Sequence, residues 1–480
     1  MIQLQLNKRD FEYDIYSLIK SFYPGKDVTV VYGEEDGTDA ELKISVFYEE
    51  NQITISVFED GALVLTDSVS VCYEENRKET KNALKRLAYE MLRNLTGTEL
   101  PWGDLTGIRP TKIPMALLEQ GWKNADIAAY MRDTYFTSRE KTALAVMIAN
   151  RERHILKDLN YENGYSLYVG IPFCPSICLY CSFSSSPLKV WKNRVDDYLD
   201  ALCREIDAAS ETFAGRELNT VYIGGGTPTT LEPYQMDRLL TKLEERFDYS
   251  HLREFTVEAG RPDSITRDKL QVLLDHGITR ISINPQTMNQ ATLDLIGRKH
   301  TVEQTVSAFC LAREMGFDNI NMDLIVGLPG EGKEQVEHTM KEIGKLDPDS
   351  VTVHSLALKR AARLSLFKDE YQDISFQNSS EIMDMTASYC ERAGLYPYYL
   401  YRQKNMAGNF ENVGYAREGK AGIYNILIME EVQSILALGA GGSTKVVYGP
   451  DRIERIENVK DIKNYIERID EMIERKKRIG

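Results

Sequence analysis

Six short β-rich runs recur from residue 166 onward, each followed by a longer stretch of helical pattern. They are SLYVGI (166–171), TVYIGG (220–225), EFTVEA (254–259), RISIN (280–284), NINMDLIV (319–326) and SVTVHSL (350–356). Six β–α repeats in about 190 residues demand a parallel sheet whose strands are joined by crossover helices, either open or closed into a barrel. That rhythm also divides the chain. At 480 residues it is too long for one ordinary domain, and the pattern gives an N-terminal α+β domain over 1–160, the repeat region over 161–380 and a C-terminal, mainly helical extension over 381–480.

Within the first region, LKISVFYEENQITISVF (42–58) alternates on both sides of a polar turn and predicts a hairpin. Leu84, Leu87, Ala88, Met91, Leu92 and Leu95 recur at helical spacing and Gly97 follows as a stop. PWGDLTGIRPTKIP (101–114) is punctuated as a loop. Thr137 and Glu140 are spaced as a capping box for a helix running to about 158. The charged tail from 451 has a helical pattern, and the chain shows no solenoid-type repeat.

Net charge is −15, which argues against a chain-wide nucleic-acid role. No apolar run approaches the ~20 residues of a membrane span, and the N-terminus lacks a signal-peptide core. The expected setting is cytoplasmic, where thiols stay reduced, and seven cysteines do not suggest a disulfide framework.

Three of those cysteines stand apart. LYVGIPFCPSICLYCSF (167–183) holds Cys174, Cys178 and Cys181 within eight residues. Cys72, Cys203, Cys310 and Cys390 are scattered singly and read as small hydrophobes. Structural zinc would want a fourth ligand, typically from a second pair. Three thiolates suit a 4Fe–4S cluster with one iron open to a ligand.

On these residues the sequence resembles the radical S-adenosylmethionine (SAM) superfamily. More narrowly it resembles the oxygen-independent coproporphyrinogen III oxidase family, with YYLYRQKNMAGNFENVGYAREGKAGIYN (398–425) and PWGDLTGIRPTKIP pointing to its HemZ branch. The resemblance implies a partial (β/α)6 barrel with its chemistry at the C-terminal strand ends, as barrels of this kind place it. It implies a 4Fe–4S cluster on Cys174, Cys178 and Cys181. It assigns SAM to Tyr168, Tyr180, Gly225, Gly226, Thr227, Glu258, Gln286, Arg298, Asp323 and Ala357, with Arg298 offered to the methionyl carboxylate. The implied reaction takes hydrogen from the β-carbon of a propionate through a 5′-deoxyadenosyl radical. Loss of CO2 and an electron then leaves a vinyl group, turning coproporphyrinogen III into protoporphyrinogen IX. No catalytic side chain beyond the cluster and SAM is needed. The implied partners are a tetrapyrrole and an electron donor such as flavodoxin or ferredoxin, and the chain is expected to be a monomer.

Two positions depart from the pattern. Phe183 stands where the best-known branch has a fourth cysteine, and Gly170 where many relatives have histidine. Phe183 matches the haem-chaperone branch, HemW, so a haem carrier is the alternative function, with action on another tetrapyrrole a further one. For the substrate, Lys359, Arg360, Arg363, Arg402 and Lys404 are candidate partners of propionates, Arg402 and Lys404 foremost. Tyr396, Tyr398, Tyr399 and Tyr401 are a candidate packing surface for the macrocycle.

Overall fold

The computed structural model describes residues 1–33, 40–72, 76–357, 378–403, 410–449 and 452–479. It divides into two compact units. One takes residues 1–147 with Phe410, and the other takes the chain from Ile148 onward.

The first unit is a five-stranded sheet of order β2-β1-β3-β4-β5. Its strands are β1 (Ile2–Leu6), β2 (Val28–Tyr32), β3 (Leu42–Tyr48), β4 (Gln52–Glu59) and β5 (Ala62–Ser70). The expected hairpin is β3–β4, paired antiparallel from Leu42↔Glu59 to Tyr48↔Ile53. Its alternation turns Leu42, Ile44, Val46, Ile53, Ile55 and Val57 onto one face. They pack with Ile15, Leu18 and Ile19 of the helix Glu12–Phe22 and with Leu84, Ala88 and Leu92 of the helix Arg77–Thr96. That second helix stops at Gly97, whose φ of 65° suits a residue without Cβ. The helix Arg139–Leu156 starts one residue later than the capping box places it. Ser138 Oγ accepts from Lys141 N at 3.2 Å, while Thr137 bonds to the hydroxyl of Thr142. The loop 101–111 is a packed one, since Trp102, Asp104 and Thr111 are buried.

The second unit is built on an eleven-stranded sheet. Six strands coincide with the six runs: β6 (Gly164–Ile171), β9 (Glu217–Gly225), β10 (Glu254–Gly260), β11 (Arg280–Ile283), β12 (Ile320–Val326) and β13 (Ser350–Ser355). They pair in chain order, all parallel. Two minor strands, β7 (Phe173–Cys174) and β8 (Ser186–Pro187), fold the cysteine loop back on itself. Both faces of β6 and β9 are buried, as in a parallel sheet covered by crossover helices. Leu167, Val169, Ile171, Val221 and Ile223 make one face apolar, while Ser166, Thr220, Tyr168 and Tyr222 make the other polar, with Thr220 Oγ1 donating to Ser166 Oγ at 2.7 Å.

The C-terminal segment extends this sheet at both edges. β14 (Tyr396–Tyr401) and β15 (Asn412–Ala416) continue beyond β13, and β16 (Ser434–Leu438), β17 (Ser443–Gly449) and β18 (Arg452–Glu457) continue beyond β6. It is therefore less helical than expected. In RIERIE (452–457) the isoleucines lie three apart, which reads as helix, yet the segment pairs along β17 from Arg452 to Glu457. Helices follow only from Ile462. The helix Ile423–Glu430 packs on β9 and β14.

Behind β16 lies a buried ion pair. Glu205, on the helix Val195–Ala209, is 0% exposed and pairs with Lys476, 2% exposed. Its second oxygen accepts from Gly439 N at 2.8 Å and Tyr465 Oη at 2.6 Å, and Asn458 Nδ2 donates to the first at 2.7 Å.

Candidate active site

The C-terminal ends of β6, β9, β10, β11, β12 and β13 surround a cavity of about 440 Å3, within the size range of cofactor pockets. Cys174, Cys178 and Cys181 line it, as do Tyr168, Tyr180, Gly225, Gly226, Thr227, Glu258, Gln286, Arg298, Asp323 and Ala357. Parallel pairing brings these positions together. Together they come from all six strands or the segments that follow them, and strands of one direction end on one side.

The cysteine loop hangs from the turn after β9. Gly226 N donates to Ile171 O and Thr227 N to Phe173 O, each at 2.7 Å. A Cβ on Gly226 would lie 2.5 Å from Phe173 O, so the GGGTPT glycines permit backbone to approach backbone. These two N–H groups are spent on the loop, so a ligand in the cavity would meet the turn through its carbonyls and the Thr227 side chain. Thr227 Oγ1 donates to Cys174 Sγ at 3.6 Å, and Arg261 Nη1 lies 3.9 Å from Cys178 Sγ. Arg261 is fixed by two bonds to Asp263 of 2.9 and 2.8 Å. Burial holds the free thiols of Cys174 and Cys181 above the usual thiol range, so a metal that takes them as thiolates releases protons.

Two carboxyl groups share the cavity and are shifted in opposite directions. Burial pushes Glu258 up to about 7, and Asp323 pushes the same way, against a hydrogen bond from Tyr222. Asp323 is also raised by burial. His354, 3.9 Å away, with a hydrogen bond from Asn321 at 2.7 Å and the nearby Thr352 hydroxyl, outweighs that and leaves it below the usual carboxylate range. Such divergence between neighbouring acids is common where charge is managed for binding or chemistry.

Polar atoms here lack partners. Gln286 Oε1 and Arg298 Nε are buried and make no hydrogen bond, although Arg298 Nη1 reaches Tyr180 Oη at 3.2 Å. Gln286 has a φ of 70°, costly for a residue with a Cβ. Its backbone is pinned there by Asp323 O, which accepts from its N at 3.0 Å, and by Ile325 N at 2.9 Å.

Strand alternation decides the aromatic and basic candidates. Tyr399, Tyr401 and Gln403 line the cavity, while Tyr398 is buried away from it and Tyr396 is exposed. Arg402 falls on the face opposite Tyr401 and Gln403, is 4% exposed and does not line the cavity, contrary to its expected place beside a propionate. Burial lowers it to about 10, against the pull of Glu411. Lys359, Arg360, Arg363 and Lys404 lie outside the described residues. Gly170 does not line the cavity, and Tyr198 Oη donates to its carbonyl at 2.6 Å. Sequence reasoning missed Arg261, Tyr222, His354 and Tyr424. Arg261 alone carried a signal, three residues beyond Glu258 in the same strand-end motif.

Comparison with known proteins completes the picture. The model of the radical SAM superfamily matches residues 168–343. The oxygen-independent coproporphyrinogen-III oxidase-like protein HemZ of Bacillus subtilis (strain 168) is 41% identical over 404 residues, spanning 83% of this chain and 81% of that one. The chain belongs to the radical SAM superfamily, in the HemN/HemZ/HemW family. The haem chaperone HemW of the same organism is 32% identical over 64% of this chain and 76% of its own. The solved structure of the radical SAM coproporphyrinogen III oxidase HemN from Escherichia coli aligns with a TM-score of 0.52 at 25% identity, covering 67% of this chain and 73% of that one.

Membership of this superfamily implies a 4Fe–4S cluster and SAM. The donor set fits both: three thiols on one loop with a hydroxyl and a guanidinium beside their sulfurs, next to buried polar atoms that lack partners. No helix among the described residues is long and apolar enough to cross a membrane.

Proposed function

We propose that this radical SAM enzyme carries out the oxygen-independent oxidative decarboxylation of coproporphyrinogen III to protoporphyrinogen IX. Cys174, Cys178 and Cys181 hold three irons of the cluster. Glu258, Gln286, Arg298 and Asp323 bind SAM with Tyr168, Tyr180, Gly225, Gly226, Thr227 and Ala357. The bound cluster and SAM supply the one-electron chemistry that removes a hydrogen from the propionate β-carbon. Each propionate loses that hydrogen, CO2 and one further electron, and a vinyl group remains. The protein's work is to bind, orient and exclude water. Thr227 and Arg261 stabilise thiolate charge, and the opposed states of Glu258 and Asp323 offer one acceptor that is ionised at neutral pH and one that titrates there. Tyr399, Tyr401 and Gln403 form the wall on which a macrocycle packs.

The observation that supports this reading is that one cavity gathers the three cysteines and all ten positions the family resemblance assigns to SAM. The test is anaerobic incubation of the reconstituted protein with coproporphyrinogen III, SAM and a reductant, with products read by mass. Monovinyl and divinyl products are expected. Tight haem binding without any vinyl product would favour a carrier.

A further inference from the structure

The segment beyond Cys181 is chemically unlike its surroundings. SFSSSPLKVWKNR (182–194) holds three cationic side chains and no anionic one, in a chain of net charge −15. β8 pairs with β7 through Phe173↔Ser186 and Cys174↔Pro187, so this segment folds back over the cysteine loop. Phe183, two residues past Cys181, stands at the cavity rim and is 73% exposed. Val190, on the short helix Leu188–Trp191, is 72% exposed. Large apolar side chains this bare, beside a reactive centre, are an interaction signature when rimmed by charge.

The rim is basic. Lys189 and Lys192 are exposed. Lys460 joins them from the C-terminal part, because Ser184 Cβ and Lys460 Cγ flank the same point above Gly441, at 3.7 and 3.8 Å from its built Cβ. None of the three lysines makes an ion pair or hydrogen bond among the described residues. The neighbouring carboxylates are already engaged. Asp197 takes Arg194 at 2.9 Å, Asp196 takes Gln235 and Tyr234 at 3.0 and 3.2 Å, and Asp461 caps Asn464 N at 2.8 Å.

We propose that the face carrying Phe183, Val190, Lys189, Lys192 and Lys460 docks a small acidic one-electron carrier protein. The inference rests on the reading of the cysteine loop as a cluster site. A carrier seated there gives up one electron and the cluster gains it, with no bond made or broken. The lysines steer an acidic partner and fix its orientation. The apolar side chains exclude water at the rim of the cavity that Cys181 lines. Phe183, where relatives carry a fourth cysteine, is then a contact residue.

The test compares wild type with Lys189→Glu/Lys192→Glu and with the triple variant adding Lys460→Glu. Calorimetry measures the binding of oxidised flavodoxin, a readout independent of turnover. Anaerobic stopped flow follows cluster reduction by flavodoxin hydroquinone and, separately, by dithionite, which needs no docking. Reversal of the lysines is expected to weaken flavodoxin binding and slow reduction by flavodoxin about 10- to 100-fold, wild-type binding is expected to weaken with salt, and dithionite reduction is expected to be unchanged. Variants that bind flavodoxin and accept its electron like wild type would overturn the docking face while leaving the cluster reading intact. A wild-type protein that dithionite cannot reduce would overturn the cluster reading, and the docking with it.

Discussion

Two buried polar clusters in the same unit differ in how fully they are satisfied. Around Glu205, Lys476, Asn458, Tyr465 and the amide of Gly439 all donate to one carboxylate. At the cavity, Gln286 Oε1 and Arg298 Nε have no partner, and Gln286 keeps a left-handed backbone. Buried polar groups are ordinarily paired, and each exception asks for a reason. The first cluster is completed by folding, whereas the second keeps open hydrogen-bonding positions facing a cavity.

The largest expected effect lies on the ligand side. Cys178→Ala should abolish the iron–sulfur cluster altogether, while Cys203→Ala and Cys390→Ala should retain it, as counted by iron and sulfide in anaerobically purified protein. Full occupancy in Cys178→Ala would remove the basis for calling the cavity unfinished. Next comes the finished cluster. Glu205→Ala strands the Lys476 ammonium in the interior and should cost about 3–5 kcal/mol, measured by urea unfolding. A loss below about 1 kcal/mol would mean that the two clusters do not differ in the way their hydrogen bonds suggest.

Glu258→Gln sharpens the comparison, because its two readouts should move apart. The carboxyl is raised to about 7 in the folded protein, above its unfolded range. Its contribution to stability is therefore complete below about pH 4, near the unfolded value, and is lost as pH rises through 7. Above pH 7 the glutamine variant should be at least as stable as wild type. SAM affinity should fall roughly tenfold, about the ~1.4 kcal/mol of one charge-assisted hydrogen bond, and wild-type affinity should rise with pH through 7 as the acceptor ionises. Equal SAM affinity in both proteins would show that Glu258 does not contact the cofactor.

The smallest effect is expected at Asp104 of the N-terminal unit. Burial raises this carboxyl to about 7, against Lys85 and Arg86, and one of its oxygens has no partner. By the same sign its stabilising contribution is lost as pH rises through 7, so Asp104→Asn should gain on the order of 1 kcal/mol at pH 8. Thermal melts at pH 5 and pH 8 would read it, and a gain that is equal at both would exclude ionisation as the cause.

Much of this was legible because it is local. The six parallel strands, the β3–β4 hairpin and the stop at Gly97 follow from periodicities within a few residues. Three thiols in one loop need no tertiary information. Arg402 was misplaced because YYLY (398–401) is apolar or aromatic on both faces of β14, so no alternation betrays which side looks inward. β18 was misread because isoleucines three apart suit a helix, and only pairing with β17 overrides that. The Glu205 cluster left no trace in the sequence, since its partners lie 234 to 271 positions from Glu205.

That separation sets a timetable. β6 lies between β9 and β16 in the finished sheet, and Leu167 meets Leu436 along one edge. During vectorial synthesis, at roughly 5–20 residues per second, the first barrel strand waits some tens of seconds for that neighbour, and longer for the lysine that closes behind it. Through this interval it offers an apolar, unpaired edge to any other chain. The burden on the cell's folding machinery is thus set by chain order, with the last helix acting as the latch.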